Sequence, residues 1–154
     1  MPPSDPLMVL QNEVLMITLI TWALAQVMKP FIHFLLVRKW DWGMLLSVGG
    51  MPSSHTTLVV SVTLATGLIV GFNSALFAVA LAFAMVVVAD AAGVRREAGF
   101  HAQALNTIMR ELMEGQPLAA EKELREVLGH TPAEVLGGII WATLATTLLW
   151  YFWP

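Results

Sequence analysis

Two short polar turns, each carrying a histidine and each followed by an apolar run, contain the residues best suited to chemistry in this sequence. The first turn spans Gly49 to Thr57 and includes Ser53, Ser54 and His55. A helix that begins near Ser54 or His55 leaves backbone N–H groups without intrahelical partners, and with the serine hydroxyls these donors form an anion site. His55 at the mouth of that site can donate a proton to a leaving oxygen. Because serines also cap helices for purely structural reasons, the turn alone leaves both interpretations open.

The second turn has a carboxylate four residues after its histidine. In the run Gly129 to Glu134, the side chains of His130 and Glu134 can meet on one helical face. A carboxylate behind an imidazole fixes the tautomer and makes the far nitrogen a better nucleophile or base. The alternative is an interfacial histidine beside a glutamate that stabilises the helix N-terminus through the helix dipole.

Cationic side chains elsewhere suggest that the anion is a phosphate. Arg95 and Arg96 are adjacent, which suits bidentate phosphate contacts, and Asp90 could orient one of them. The alternative is a basic segment that flanks a membrane helix. Lys29 lies in an otherwise apolar run, where a charge needs a partner or a function unless it extends to the interface.

The composition indicates an integral membrane protein. Of the 154 residues, 57% are hydrophobic and only 12% are charged, and the mean hydropathy is +0.72. The absence of cysteine excludes disulfides, thiolate metal sites and a cysteine nucleophile. We expect one domain over residues 1–154, surrounded by membrane lipids and without a nucleic-acid partner. We expect no cleavable signal peptide, because the residues Met1 to Pro6 are acidic rather than basic.

The apolar runs predict an all-α, polytopic membrane bundle with about four transmembrane helices plus interfacial helices. The predicted spans are Val14 to Val37, Thr56 to Val70, Ala75 to Ala89, and Pro132 to about Phe152. Pro30 predicts that the first helix kinks or ends near Met28. Between the third and fourth spans we expect a helix of mixed polarity from Asp90 to Met113 and a short charged helix from Leu118 to Leu128.

Four crossings would bring the polar segments to one side of the membrane. The segment from Lys29 to His55 follows the first crossing, and the segment from Asp90 to His130 follows the third. All eight Lys and Arg residues lie in these two segments: Lys29, Arg38, Lys39, Arg95, Arg96, Arg110, Lys122 and Arg125. By the positive-inside tendency, this polar face is expected to be cytoplasmic.

These motifs resemble the type 2 phosphatidic acid phosphatase superfamily, and most closely its divergent bacterial and plant branch. The stretches Gly49 to Thr57, Asp90 to Asn106 and Gly129 to Gly138 carry the resemblance. It covers most of the chain from Gln26 onward.

The resemblance implies a mechanism without a metal or another cofactor. In the parent superfamily a histidine attacks phosphorus and forms a phosphohistidine, an acid orients that histidine, and a second histidine protonates the leaving group. His130 would then be the nucleophile, Glu134 its orienting acid and His55 the general acid. The residues implied to hold phosphate are Lys29, Ser53, Ser54, Arg95 or Arg96, and Arg125.

The sequence departs from the parent pattern in ways that leave the nucleophile ambiguous. Ser54 stands where the parent has glycine, and only four residues separate Arg125 from His130 where the parent has five. His101 has the five-residue spacing after Arg95, but Leu105 then replaces the acid. We favour His130 because a helix-opening proline and an apolar span follow it.

The leading expectation is a membrane phosphatase acting on a lipid phosphate or diphosphate, in a bacterial inner membrane or an organelle membrane. The alternatives are a non-catalytic protein that binds or transports phosphorylated lipid, and a structural membrane subunit that docks a partner through its polar face. Four short spans are few to enclose a site and favour a homodimer.

Overall fold

The computed structural model describes residues 6–47, 49–112 and 130–154, with the backbone alone at positions 6, 94–96, 98 and 110–112. Within these residues the fold is all-α, as predicted. The helices are α1 (Glu13–Val37), α2 (Ser54–Val70), α3 (Ala75–Ala89), α4 (Arg95–Leu112) and α5 (Pro132–Phe152). A π-helical turn, Asp90–Val94, joins α3 to α4, and short 3₁₀ helices occupy Pro6–Gln11 and Trp42–Leu46. The predicted helix Leu118 to Leu128 lies outside the described residues.

Each helix of the apolar bundle begins at a polar side chain that caps it. The side-chain oxygen accepts a hydrogen bond from a backbone N–H three residues further on, which satisfies one of the free donors of the first turn. The caps are Asn12, Ser53, Ser74 and Thr131. These caps set the helix starts, so α2 begins at Ser54, two residues before the predicted Thr56, while α3 and α5 have their predicted bounds.

Helix α1 continues through Pro30 to Val37, so of the two predicted outcomes, a kink or an end near Met28, the end is not observed. Proline removes one backbone N–H and therefore one hydrogen bond from the helix. Within a membrane bundle that loss is tolerated because neighbouring elements surround the helix, and Pro30 is buried. The helix ends instead at Arg38, whose left-handed conformation (φ 59°) lets its N–H donate to the carbonyl of Phe34.

Helix α2 lies at the centre of the bundle. It packs against α1, α3 and α5, and α1 also packs against α5. Small residues allow these close approaches: Ala25, Ala65 and Ala142 are fully buried. At Gly138 of α5, an added Cβ would lie 2.9 Å from the carbonyl oxygen of Ser53, so only glycine permits this contact with the start of α2.

Length and apolarity identify the protein as an integral membrane protein. Three described helices are long and apolar enough to cross a bilayer: Glu13–Val37, Ala75–Gly93 and Pro132–Phe152. The third apolar run gains length because the helix continues through the π-helical turn. Helix α2 is apolar but shorter, at 17 residues, so its crossing of the membrane stays a prediction.

Candidate functional site

The polar turn before α2 is attached directly to the start of α5. The N–H of Ser53 donates to the carbonyl of Glu134 at 3.0 Å. The Ser53 hydroxyl accepts from the N–H of Thr56 at 3.4 Å, and its side chain is fully buried. Ser53 therefore fixes the start of α2 against α5, and through it the positions of the two histidines.

His130 is held by the residues that open α5. Its Nδ1 lies 3.2 Å from Oε2 of Glu134, and only 5% of its surface is exposed. The same carboxylate oxygen accepts from the N–H of Thr131 at 2.9 Å, and the Thr131 hydroxyl accepts from the N–H of Glu134 at 3.3 Å. This capping box immobilises the carboxylate, so Glu134 orients the imidazole. Glu134 contacts Nδ1 of that ring and does not contact Nε2.

The predicted contact between His130 and Glu134 is confirmed, but its geometry differs from the prediction. His130 precedes the N-cap Thr131, so it is not on the helix. The contact is made across the capping box rather than along one helical face, because Glu134 turns back toward the chain that enters the helix.

His55 and His130 lie side by side although 75 residues separate them in sequence. Their ring centroids are 5.8 Å apart and the rings are inclined at 62°. His55 is half-buried in the first turn of α2. The two imidazoles are therefore close enough to contact the same small group.

Lys29 does not reach solvent, and its partners lie in the segment that leads into α2. Its ammonium is fully buried and donates to the carbonyl of Ser47 at 2.7 Å and to the hydroxyl of Ser54 at 2.5 Å. The Ser54 hydroxyl in turn donates to Oε1 of Gln26 at 2.7 Å. The charge therefore has the partners that an intramembrane lysine needs.

This hydrogen-bonded chain explains the serine that stands in place of the parent glycine. Glycine at position 54 could not accept from Lys29 or donate to Gln26, so the hydroxyl has a structural use here. Gln26 was missed in the sequence, although one signal was present. It is another polar residue of the same apolar run, three positions before Lys29 and therefore on the same helical face.

The remaining predicted site residues lie around the third and fourth helices or outside the description. Asp90 is half-buried at the start of the π-helical turn, and His101 is exposed on α4. Arg95 and Arg96 begin α4, where only the backbone is described, and Arg125 lies outside the described residues. In the described part of the chain, no group of three or more His, Asp or Glu side chains has the arrangement of a metal site.

Two cavities flank the bond between Lys29 and Ser54. One, of about 300 Å³, lies between α1 and α5 and is lined by the polar side chains of Lys29, His33, Thr131 and Glu134 together with apolar residues. The other, of about 440 Å³, lies between α1 and α2 and is lined by Trp22, Gln26, Leu46, Ser47, Ser54, His55 and Leu58. The candidate site therefore borders two cavities, each with both polar and apolar walls.

Comparison with known proteins agrees with the resemblance that the motifs suggest. The sequence model of the divergent PAP2 family matches residues 10–145. An uncharacterized membrane protein of Bacillus subtilis (strain 168), YuiD, is 42% identical over 153 residues, which cover 93% of this chain and 97% of that protein. No solved structure matches this chain significantly.

Proposed function

This chain belongs to the divergent PAP2 family, and we propose that it is a membrane phosphatase that hydrolyses a lipid phosphate or diphosphate through a phosphohistidine intermediate. One observation carries the proposal: buried His130 is hydrogen-bonded to Glu134 at 3.2 Å and lies with its ring 5.8 Å from that of His55. A nucleophile, its orienting acid and a second imidazole are the groups that this reaction requires.

In the first step, Nε2 of His130 attacks phosphorus while the bond from phosphorus to the leaving oxygen breaks. The electron pair of that bond stays on the leaving oxygen, and protonated His55 donates its proton there. The Nδ1–H of His130 donates to Glu134, which stabilises the positive charge that develops on the ring as the P–N bond forms.

In the second step, water attacks the phosphohistidine. His55, now neutral, accepts a proton from the water as the new P–O bond forms. The P–N bond breaks and its electron pair returns to Nε2 of His130, so the products are phosphate and the starting form of the protein. The half-buried position of His55 suits both roles, since it can meet the leaving group and then the water.

Fixed donors near the two histidines would stabilise the charge of the phosphate. The first turn of α2 presents backbone N–H groups and the positive end of its dipole beside Ser54. Lys29 adds a positive charge behind the Ser54 hydroxyl, and Ser53 supports the turn as its cap. Further phosphate ligands that we propose from the family resemblance are Arg95, Arg96 and Arg125, with Asp90 and His101 as supporting residues.

A non-catalytic protein that binds or transports phosphorylated lipid is the second candidate. The contacts of Lys29 favour it, because the ammonium is fully buried and bonded to oxygens of Ser47 and Ser54. An ammonium that already gives two of its three N–H donors to protein oxygens has few left for the reacting phosphate. A site that makes no stronger contact in the transition state binds its ligand without accelerating a reaction.

Phosphate release from purified protein in detergent micelles tests the proposal, with phosphatidate, phosphatidylglycerophosphate and a polyprenyl diphosphate as substrates. We expect His130→Ala to abolish release and His55→Ala to slow it about 100-fold or more. His101→Ala, the matched change at the exposed histidine of α4, should retain activity if His130 is the nucleophile. Wild-type rates in both His130→Ala and His55→Ala would overturn the proposal. Binding of these lipids without released phosphate would favour the second candidate.

We also propose that the polar end of the bundle faces the cytoplasm and that the protein is a homodimer. The first proposal is supported by the positive charge near that end, where α1 is followed by Arg38 and Lys39. The second is supported by the small number of helices around the site. Within the described residues, the bundle has four apolar helices.

A further inference from the structure

A groove between α1 and α2 leads away from the candidate site, and a second, larger cavity lies along it. The cavity nearest the site contains His55 and Leu58 of α2 and Trp22 and Gln26 of α1. The second cavity has a volume of about 660 Å³. It is lined by Asn12, Val14, Leu15, Val62, Thr66, Val70, Leu76, Val79, Ala80 and Phe83.

The lining residues indicate that the two cavities lie in line along one groove between α1 and α2. On α2, their lining residues are His55, Leu58, Val62, Thr66 and Val70, which are spaced three or four apart. Residues at that spacing lie on one face of a helix. On α1, the corresponding lining residues are Gln26, Trp22 and Leu15, which are four and seven positions apart. These residues therefore also lie on one face of their helix.

The groove changes from polar to apolar along its length. At the site it ends on Gln26, Ser54 and His55. Beyond Leu58 its walls are mainly aliphatic and aromatic, and α3 supplies a third wall. The wall residues Val79 and Phe83 are 68% and 61% exposed, so the groove is open to the surrounding bilayer.

The length of the groove is suited to a long hydrocarbon chain. From His55 to Val70 the stripe on α2 rises roughly 22 Å at about 1.5 Å per residue. One leaflet of the hydrocarbon core is about 15 Å deep, half of a core of about 30 Å. A chain lying in the groove would therefore pass the middle of the membrane while its polar end stays at the histidines.

We propose that this groove binds the hydrocarbon tail of the phosphorylated lipid, so that the lipid enters from the bilayer between α1 and α2 and its phosphate reaches His55 and His130. The placement of the phosphate at the histidines rests on the function proposed above. The placement of the tail in the groove does not depend on that function. The phosphate-bearing lipid is the favoured occupant because the groove ends on the polar groups of the site. A terminal phosphate carries more negative charge than the phosphodiester of an ordinary bilayer lipid, so it gains more from that polar end.

Narrowing the groove tests the proposal with a matched control. Leu58→Trp places a large side chain next to His55, whereas Leu144→Trp makes the same change at an exposed position of α5, 59% exposed. The measured quantity is the ratio of kcat/KM for a long-chain lipid phosphate to kcat/KM for a water-soluble short-chain phosphate ester. We expect Leu58→Trp to lower this ratio about tenfold. Leu144→Trp should leave that ratio unchanged. If the ratio is the same in the wild type, Leu58→Trp and Leu144→Trp, the tail site is overturned. The phosphatase proposal would survive that result, because the protein still releases phosphate.

A measurement that needs no turnover separates this inference from the proposed function. A long-chain lipid phosphate with a photoreactive group on its tail is irradiated with the wild-type protein, and the labelled peptides are identified by mass spectrometry. We expect labels on Leu58, Val62 and Val79, and at least about fivefold less label at these positions from the same lipid without phosphate. Such labelling in a protein that releases no phosphate would sustain the tail site and overturn the phosphatase. Equal labelling by the phosphate-free lipid, labelling on other helices, or crosslinks between two copies through this groove would overturn the tail site.

Discussion

Ser53, the N-cap of α2, and Glu134 of α5 are joined by a backbone hydrogen bond of 3.0 Å, and this bond connects the two segments that carry the histidines. His55 follows Ser53 by two residues, and His130 precedes Glu134 by four. Each histidine is therefore close in sequence to one end of the bond. The 5.8 Å between their ring centroids follows from this junction of two helix starts.

The first prediction concerns the carboxylate that orients His130. Glu134→Gln keeps an oxygen that can accept a hydrogen bond but removes the charge that stabilises a positive imidazole. If the protein is a phosphatase, we expect kcat for phosphate release to fall about 100-fold. The matched control is Glu97→Gln, at an exposed position in the first turn of α4, which should keep the wild-type rate. Unchanged kcat in Glu134→Gln would show that the carboxylate serves only the helix cap.

The second prediction concerns the hydroxyl that bridges Lys29 and Gln26. Ser54→Ala leaves the buried ammonium without one acceptor, and we expect the free energy of unfolding to fall by about 1–3 kcal/mol. Thermal unfolding in detergent measures this loss as a lower Tm.

Ser61→Ala is the matched control on the same helix. The Ser61 hydroxyl is buried, and in the described part of the chain it has no hydrogen-bond partner. Removing it should leave Tm close to that of the wild type. Equal Tm values for Ser54→Ala and Ser61→Ala would contradict a stabilising role for the bridge.

The third prediction concerns the close approach of α5 to α2. In Gly138→Ala the new Cβ would meet the carbonyl oxygen of Ser53 at 2.9 Å and Cβ of Thr56 at 3.0 Å, so the helices must separate. We expect a loss of stability of about 1–3 kcal/mol. Phosphate release should also fall, because the two histidines move apart. Gly93→Ala is the control, since a Cβ there would meet nothing within 4 Å. A wild-type Tm and a wild-type rate in Gly138→Ala would contradict the close packing of α5 against α2.

The fourth prediction concerns the orientation in the membrane. The native chain has no cysteine, so single cysteines can be introduced as probes without other changes. Ala104→Cys on α4 should react with a membrane-impermeant thiol reagent only from the cytoplasmic side. Asn73→Cys, in the exposed turn between α2 and α3, should react only from the other side. Reaction of both cysteines from the same side would mean that α3 does not cross the membrane.

The sequence was enough to predict the membrane bundle and its family. Apolar runs bounded by serine, threonine, glycine and proline are local patterns, and a helix satisfies its backbone hydrogen bonds within one segment. For that reason the bounds of α3 and α5 and the family could be predicted without knowledge of packing. The helix end expected near Met28 is not observed, because the neighbours that tolerate a proline in α1 are distant in sequence.

Only the tertiary structure decided how the polar residues are paired. Nothing local in the sequence indicates that Lys29 bonds to Ser54, that Gln26 completes this chain, or that His55 rather than His101 lies beside His130. These pairs depend on how deeply each helix is inserted relative to its neighbours. That depth is set by contacts such as Gly138 against Ser53, whose energies come from packing between helices and not from the pattern within any one of them.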